Sequence, residues 1–277
     1  MKAPNTPAAP ASLALADLEP GWVWLIGAGP GDPGLLTLLA ARALAQADVV
    51  VYDALVDLRI LTFARNGAEL ILAGKRGGRP SANQDDISRK LIELAGRGFR
   101  VARLKGGDPC LFGRGGEEAL ALARARVPFR IVPGVTAGIG GLAYAGIPAT
   151  HRDTGTAITF ITGHTAGGDV PGDLDWAALA RGSAALVFYM ALGHLGRIAT
   201  QLIAAGRADN EPVAVISKAT TPDQKVLVTT LAEAEQAAKA GRLAPPALVV
   251  VGQIVRFRDE LTWFEKIVDH TNTDNGS

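Results

Sequence analysis

The stretch WLIGAGPGDPGLLTLLA, residues 24–40, decides the fold. An apolar strand pattern runs into a glycine-rich turn, and a helical pattern of leucine and alanine follows. Taken from Gly29, the turn satisfies G-x-G-x-x-G, and Asp53 follows the next strand pattern. That combination is typical of a dinucleotide-binding βα unit. However, Pro30 and Pro33 lack the backbone N–H that a pyrophosphate needs, so the chemistry of the loop disfavours this interpretation.

The same alternation continues along the first half of the chain. Strand patterns occur at Trp22–Ile26, Val49–Tyr52, Glu69–Leu72, Arg100–Leu104 and Arg130–Val132. Helical patterns lie between them, in LLTLLAARALAQA, DLRILTFAR, QDDISRKLIELAGRG and GGEEALALARAR. This rhythm predicts a mostly parallel sheet with helices on its faces.

A second set of patterns follows the small-residue-rich segment PGVTAGIGGLAYAGIPATHRD. Its strand patterns are Thr156–Thr162, Ala184–Tyr189, Pro212–Lys218, Val226–Thr230 and Ala247–Gly252, with helical patterns in HLGRIATQLIAAG and TLAEAEQAAKAGR. We predict an α/β fold of two domains, residues 21–135 with a mostly parallel sheet and residues 136–267 with a mixed sheet. Residues 1–20 and 268–277 are predicted to be disordered tails.

Composition excludes several classes of protein. The chain has 277 residues, of which 48% are hydrophobic and 20% charged, so it can bury a large core. A formal net charge of +1 gives no basic field for nucleic acid. A single cysteine excludes an internal disulfide, and the histidines have no metal-ligand spacing, so no metal is expected. No membrane span or signal peptide is evident, and we expect a cytoplasmic protein.

A second glycine loop, Leu104-Lys-Gly-Gly-Asp-Pro109, ends a later strand pattern. Its glycines would let a ligand approach the backbone closely. Asp108 could accept a hydrogen bond from a ribose hydroxyl or an amine, or it could simply cap the following helix. Two such loops at the carboxyl edge of one parallel sheet favour a ligand-binding crevice.

Taken together, a series of motifs is specific: IGAGPGDPGLLTLLA, YDALV, GKRGG, LKGGDPCLFGRGGEE, VPGVTAG, ITGH, VFYMAL and ATTPDQ. In this order, from about residue 22 to 264, the chain resembles the uroporphyrinogen-III C-methyltransferase family. That family belongs to the tetrapyrrole methyltransferases, which use S-adenosylmethionine as methyl donor.

The resemblance implies an active site in the cleft between two α/β domains, where the donor is held in a folded conformation. It also implies a homodimer. The donor contacts that it implies, mostly through the backbone, are Pro30, Gly106, Gly107, Asp108, Leu111, Thr136, Ala137, Met190, Ala219 and Ala247.

For catalysis, the resemblance implies Asp53 as proton acceptor and Lys75 as proton donor. From the residues alone, Asp53 could equally be a helix cap or an ion-pair partner. Because uroporphyrinogen carries a carboxylate on every side chain, the cleft must offer cations, and the candidates are Lys75, Arg76, Arg114 and Arg152.

The expected reaction is methylation of the small tetrapyrrole uroporphyrinogen III on rings A and B, giving precorrin-2 via precorrin-1. This step belongs to cobalamin biosynthesis, sirohaem biosynthesis or both. No dehydrogenase or ferrochelatase segment is evident, so a stand-alone methyltransferase is expected. Three alternatives stay open: a methyltransferase for a later precorrin, a dinucleotide-dependent oxidoreductase, and a non-catalytic sensor of the methyl donor.

Overall fold

The structure is a computed structural model that describes residues 14–73, 84–164 and 168–264. These residues form two five-stranded sheets, one after the other along the chain. The predicted fold class, with one parallel and one mixed α/β sheet, is confirmed.

The first sheet holds β1 (Val23–Gly27), β2 (Val49–Tyr52), β3 (Glu69–Leu72), β4 (Val101–Lys105) and β5 (Phe129–Val132). The strands lie in the order β3-β2-β4-β1-β5 and are all parallel. Their carboxyl ends therefore share one edge, where the loops after β1, β2, β4 and β5 gather.

The second sheet holds β6 (Ile158–Thr162), β7 (Ala185–Tyr189), β8 (Pro212–Ser217), β9 (Lys225–Thr230) and β10 (Ala247–Val251). The strand order is β6-β7-β10-β8-β9. β6 and β7 are parallel, whereas β10 runs antiparallel to both β7 and β8. The carboxyl ends of β6, β7 and β8 therefore share an edge with the amino end of β10.

The helices are α1 (Leu38–Gln46), α2 (Gln84–Gly96), α3 (Gly115–Arg124), α4 (Ala137–Tyr144), α5 (Trp176–Gly182), α6 (Leu195–Ala204), α7 (Ala234–Ala240) and α8 (Arg258–Leu261). Short 3-10 helices cover Pro33–Leu35, Leu58–Phe63, Leu192–His194 and Gln253–Phe257. Helices pack on both faces of each sheet, so the central strands are almost completely buried. This is why they read as continuous apolar runs.

Three local predictions differ from the structure. Leu58–Phe63 is a 3-10 helix and not an α-helix. Leu18 lies within the disordered tail predicted for residues 1–20, but it is 1% exposed and packs in a hydrophobic core on one face of the first sheet. The ordered chain therefore begins before residue 21. The small-residue-rich segment that precedes the second set of patterns, for which no helix is predicted, contains α4, which packs on the second sheet.

Candidate active site

Three glycines pack backbone against backbone at the carboxyl edge of the first sheet. Gly27 ends β1, Gly107 follows β4, and Gly134 follows β5. A Cβ on Gly134 would lie 2.3 Å from the carbonyl oxygen of Gly107 and 2.7 Å from the Cα of Gly27. The amide of Gly107 also donates to the carbonyl of Gly29 over 2.7 Å. No side chain fits between these loops, and they hold each other in place.

The Asp108 carboxylate is used within the protein. Its Oδ1 accepts the amide of Cys110 over 2.8 Å, and its Oδ2 accepts the amide of Gly134 over 3.1 Å. This role is structural, as is the helix-capping role that the sequence left open for Asp108. Asp108 ties the loop after β4 to the loop after β5, which leaves the backbone of the glycine loop as the surface for a ligand.

Gly107 borders a narrow gap, in which a Cβ would make only ordinary van der Waals contacts. Its φ is +67°, and a Cβ there would lie 3.9 Å from both the Cα of Thr136 and the amide nitrogen of Ala137. The gap therefore separates the loop after β4 from the start of α4. Gly107, Thr136 and Ala137, three of the residues predicted to contact the donor, therefore lie around this gap.

The edge of the second sheet contributes three more predicted residues. Met190 follows β7, Ala219 follows β8, and Ala247 begins β10. Because the carboxyl ends of β7 and β8 and the amino end of β10 share this edge, the three lie along it. The Met190 side chain is exposed, whereas Ala219 is buried.

The two edges are joined by a ring of hydrogen bonds, here called the polar ring, formed by Asp32, Tyr144, Thr220 and Gln224. The Asp32 amide donates to Thr220 Oγ1 over 3.0 Å, and the Tyr144 hydroxyl donates to Asp32 Oδ2 over 2.7 Å. Gln224 accepts the Thr220 amide and donates to the Tyr144 carbonyl. Burial, and then the hydrogen bond to Asp32, raise the pKa of Tyr144 to about 12. The Tyr144 hydroxyl therefore keeps the proton that it donates to Asp32 at neutral pH.

Tyr189, at the end of β7, makes a second connection across the cleft. Its hydroxyl lies 2.7 Å from Thr136 Oγ1 and accepts the amide of Gly138 over 2.7 Å. Its ring lies 5.0 Å from that of Phe112, in the loop after β4. The start of α4 and the loop after β4 are therefore held beside Met190.

Strained backbone concentrates around the same cleft. Non-glycine residues with left-handed φ values follow β4, β7 and β8: Phe112, Arg114, Met190, Lys218 and Thr220. Each such conformation costs about 1–3 kcal/mol and clusters at ligand sites in other proteins. The strain supports a functional assignment for this cleft.

Asp53 follows β2 and belongs to a buried charge network, formed by Asp53, Arg103, Lys105 and Glu118. Arg103 Nη2 lies 2.6 Å from Asp53 Oδ1, and Lys105 Nζ lies 3.6 Å from Asp53 Oδ2. Both cations also lie 3.0 Å from Glu118 Oε1. The Asp53 side chain is 27% exposed, whereas the other three are at most 3% exposed. Asp53 is thus the accessible end of an otherwise buried network.

Sequence reasoning did not single out Arg103, Lys105 or Glu118. The available signal was the presence of two cations, at alternate positions, inside the otherwise apolar strand β4. Side chains at alternate positions share one face, and a buried face with two cations requires anions.

The predicted substrate cations differ in their placement. Lys75 and Arg76 lie in residues 74–83, outside the described part of the chain. Arg114 precedes α3 at the edge of the first sheet and makes two hydrogen bonds with Glu117. Arg152 lies in the turn before β6, at the edge of the second sheet opposite the cleft. The structure therefore does not bring Arg152 to the other candidate residues.

Residues 14–73, 84–164 and 168–264 contain no group of three or more His, Cys, Asp or Glu side chains placed to bind a metal ion. Within the same ranges, the structure has no helix with the length and apolar character needed to cross a membrane.

Comparison with known proteins extends these observations. The sequence profile of the tetrapyrrole (corrin/porphyrin) methylases matches residues 23–235. A uroporphyrinogen-III C-methyltransferase from a Sinorhizobium species is 61% identical over 249 residues, which cover 90% of this chain and 89% of that protein. A siroheme synthase from Yersinia enterocolitica is 53% identical over 91% of this chain but only 53% of its own length. The chain thus spans about half of that siroheme synthase.

A solved structure agrees with the sequence comparisons. The uroporphyrin-III C-methyltransferase from Thermus thermophilus, crystallised with S-adenosylhomocysteine, has a TM-score of 0.72 and 42% sequence identity to this chain. The match covers 84% of this chain and 98% of that one.

A cleft between two α/β sheets, lined by glycines and strained backbone, is a typical place for a small-molecule site in an enzyme. The chain belongs to the tetrapyrrole methylase family, and it is therefore a methyltransferase. The resemblance identified from the sequence motifs is confirmed.

Proposed function

We propose that this protein is an S-adenosylmethionine-dependent C-methyltransferase that methylates uroporphyrinogen III on rings A and B, giving precorrin-2 via precorrin-1. The observation that carries the proposal is the 61% identity to the Sinorhizobium enzyme over nearly the full length of both proteins. The proposed pathway is sirohaem biosynthesis, cobalamin biosynthesis or both. The siroheme synthase relative supports the first of these.

The glycine-lined gap fits a nucleoside donor. Gly107 has a left-handed φ, and a Cβ at this position would enter the gap toward Thr136 and Ala137. A loop that has glycine in a left-handed conformation beside such a gap is suited to close backbone contact with a ligand. The Thermus enzyme, of the same fold, was crystallised with the demethylated form of this donor.

We assign the donor site to residues from both edges of the cleft. Those from the first half are Pro30, Gly106, Gly107, Asp108 and Leu111. Those from α4 and the second sheet are Thr136, Ala137, Met190, Ala219 and Ala247. The mutual packing of the glycine loops and the polar ring would hold these groups in place, and alignment is the main requirement of an in-line transfer.

When bound, the donor supplies an electrophilic methyl group on sulfur. A pyrrole carbon of the substrate forms the new C–C bond, the S–CH₃ bond breaks with its electron pair retained by sulfur, and the macrocycle becomes cationic until it loses a proton. Asp53 offers the carboxylate that stabilises this positive charge and accepts the proton. Lys75 is proposed as the proton donor.

The substrate's carboxylates require cations near Asp53. We propose Lys75 and Arg76 after β3, together with Arg114 before α3, because the carboxyl ends of β2, β3 and β4 share one edge. The pair with Glu117 raises the pKa of the already basic Arg114, so this guanidinium stays charged. Arg152 would bind substrate only from the opposite edge of the second sheet.

The remaining proposals concern organisation. Domains of residues 21–135 and 136–267 place the boundary at the start of α4, which packs on the second sheet. The family resemblance implies a homodimer, and we also propose a cytoplasmic location. Light scattering of the purified protein tests the dimer, and a monomer at working concentration would contradict it.

The decisive experiment is anaerobic incubation of the protein with uroporphyrinogen III and S-adenosylmethionine, followed by mass measurement of the tetrapyrrole. We expect the mass to increase by two CH₂ units, since each added methyl group replaces a hydrogen, and an intermediate that has gained one CH₂ unit. Calorimetric titration with S-adenosylhomocysteine and with NAD accompanies it. Binding of NAD but not of S-adenosylhomocysteine would favour an oxidoreductase, and donor binding without turnover would favour a sensor.

A further inference from the structure

The buried charge network is unusual in where it lies. Arg103 and Lys105 lie on a central strand, on the face covered by α2 and α3, where neighbouring Val101 packs in the hydrophobic core. Removing a charge from water is costly unless anions and hydrogen bonds compensate it. Two buried cations at this edge therefore need a reason beyond packing.

Glu118 provides most of the compensation. Its Oε1 accepts from Arg103 Nη2 over 3.0 Å, from Lys105 Nζ over 3.0 Å and from Gln84 Nε2 over 2.8 Å. The carboxylate is fully buried. Burial raises the pKa of Glu118. The combined effect of Arg103 and Lys105 lowers the pKa by more than burial raises it, so the net pKa lies below the ordinary value. Glu118 is therefore an anion at neutral pH.

The network is electrically neutral only when Asp53 is ionised. Two cations face one fully buried carboxylate, which leaves one positive charge uncompensated without Asp53. Arg103 donates to both carboxylates and so links the buried anion to the exposed one. Among the described residues, the ion-pair partners of Asp53 are the two cations of β4. Arg59, the nearest cation along the chain, pairs instead with Asp57.

We propose that Glu118 is a positioning residue for the methyl transfer: through Arg103 and Lys105 it orients Asp53 and sets how strongly these cations neutralise it. This inference rests on the proposed function. With Glu118 in place, Arg103 and Lys105 divide their charge between two anions. Asp53 Oδ1 is held by Arg103, while the 27% exposed carboxylate keeps enough negative charge to face a cationic macrocycle.

Glu118→Gln tests the proposal with little change in volume. The variant loses the buried anion, so both cations act on Asp53 alone. We expect kcat to fall roughly tenfold to a hundredfold, as expected for a misplaced catalytic group, with the affinity for S-adenosylhomocysteine unchanged. The acid limb of the pH dependence of kcat should move to lower pH, because the loss of the buried anion leaves both cations acting on Asp53.

A matched control removes a comparable ion pair elsewhere. Glu211 pairs with Arg207 in the second half of the chain, and both side chains are at most 10% exposed. Glu211→Gln should lower the melting temperature as Glu118→Gln does, but leave kcat and its acid limb at wild-type values. Equal losses of kcat in the two variants would reduce Glu118 to a structural role and overturn the proposal.

Lys105→Met makes the opposite change in charge and keeps the test decisive if Glu118→Gln does not fold. Removing a cation weakens the positive charge that faces Asp53, so the acid limb should move to higher pH. Shifts in the same direction for both variants, or no shift in either, would refute the proposal. If the wild-type protein itself does not methylate uroporphyrinogen III, the proposed function fails instead, and this outcome is seen before any variant is compared.

Discussion

Replacing Gly107 by alanine tests the donor site at its narrowest point. The φ of Gly107 is +67°, so any residue with a Cβ is strained there by about 1–2 kcal/mol. For a protein of this size, such a loss lowers the melting temperature by about 2–4 °C per kcal/mol. We therefore expect a folded but slightly less stable variant.

The effect on ligand binding is separate from this strain. The added methyl group would stand 3.9 Å from Thr136 and Ala137, so it fills the gap between the second glycine loop, after β4, and α4. A ligand atom in contact with the glycine would need the same space, because carbon atoms in contact lie about 3.5–4.0 Å apart. We expect the affinity for S-adenosylhomocysteine to fall at least about tenfold, equivalent to about 1.4 kcal/mol.

Gly98→Ala is the matched control. Gly98 also has a left-handed φ, +82°, but a Cβ there meets no atom within 4 Å, and the residue lies between α2 and β4. Its variant should lose similar stability and keep wild-type affinity in isothermal titration calorimetry. If Gly107→Ala binds S-adenosylhomocysteine as tightly as Gly98→Ala does, the donor does not lie against this loop, and the reasoning is refuted.

Three further predictions concern catalysis, substrate binding and alkaline stability. Asp53→Asn should lower kcat while leaving affinity for S-adenosylhomocysteine near wild type; an equal loss of both would show that Asp53 supports the fold. Lys75→Ala and Arg76→Ala should each raise the KM for uroporphyrinogen III by about tenfold at low salt, as expected for a lost charge-assisted hydrogen bond, whereas Arg152→Ala, at the far edge of the second sheet, should leave KM unchanged. Tyr144 has its pKa raised from 10.0 to about 12 in the folded state, so its contribution to stability is complete below about pH 10 and declines as the pH rises toward 12. Urea unfolding at several alkaline pH values should therefore show a steeper loss for the wild type than for Tyr144→Phe, and parallel curves would contradict this.

The strands are largely predictable from the sequence because buried strands read as short apolar runs between turn residues. The run Val49–Tyr52 occurs in the structure with the same bounds. The glycine loops are also visible in the sequence, since only glycine tolerates the backbone contact between Gly27 and Gly134. Both signals are local, so no knowledge of the tertiary structure is needed.

The charge network is not predictable in this way. Glu118 lies in the first turn of α3, where acidic residues are normally exposed and favoured by the helix dipole. Its burial depends on how α3 packs against β4, which no local pattern contains. The helix α4 escaped prediction for a related reason. Its glycines disfavour a helix, yet a Cβ at Gly138 would lie 2.3 Å from the hydroxyl of Tyr189, so tertiary contact demands them.

The polar ring has a consequence for protein engineering. Asp32 lies in the first half of the sequence, whereas Tyr144, Thr220 and Gln224 lie in the second. A chimera that joins residues 1–135 of this protein to the second half of a homologue would leave Asp32 facing whatever side chains that homologue supplies. Such a hybrid should assemble well only when the homologue has hydroxyl groups at the positions of Tyr144 and Thr220 and a side-chain amide at the position of Gln224. The two halves are therefore not interchangeable modules, because a hybrid joined at residue 135 keeps this contact only if its second half carries the matching polar-ring residues.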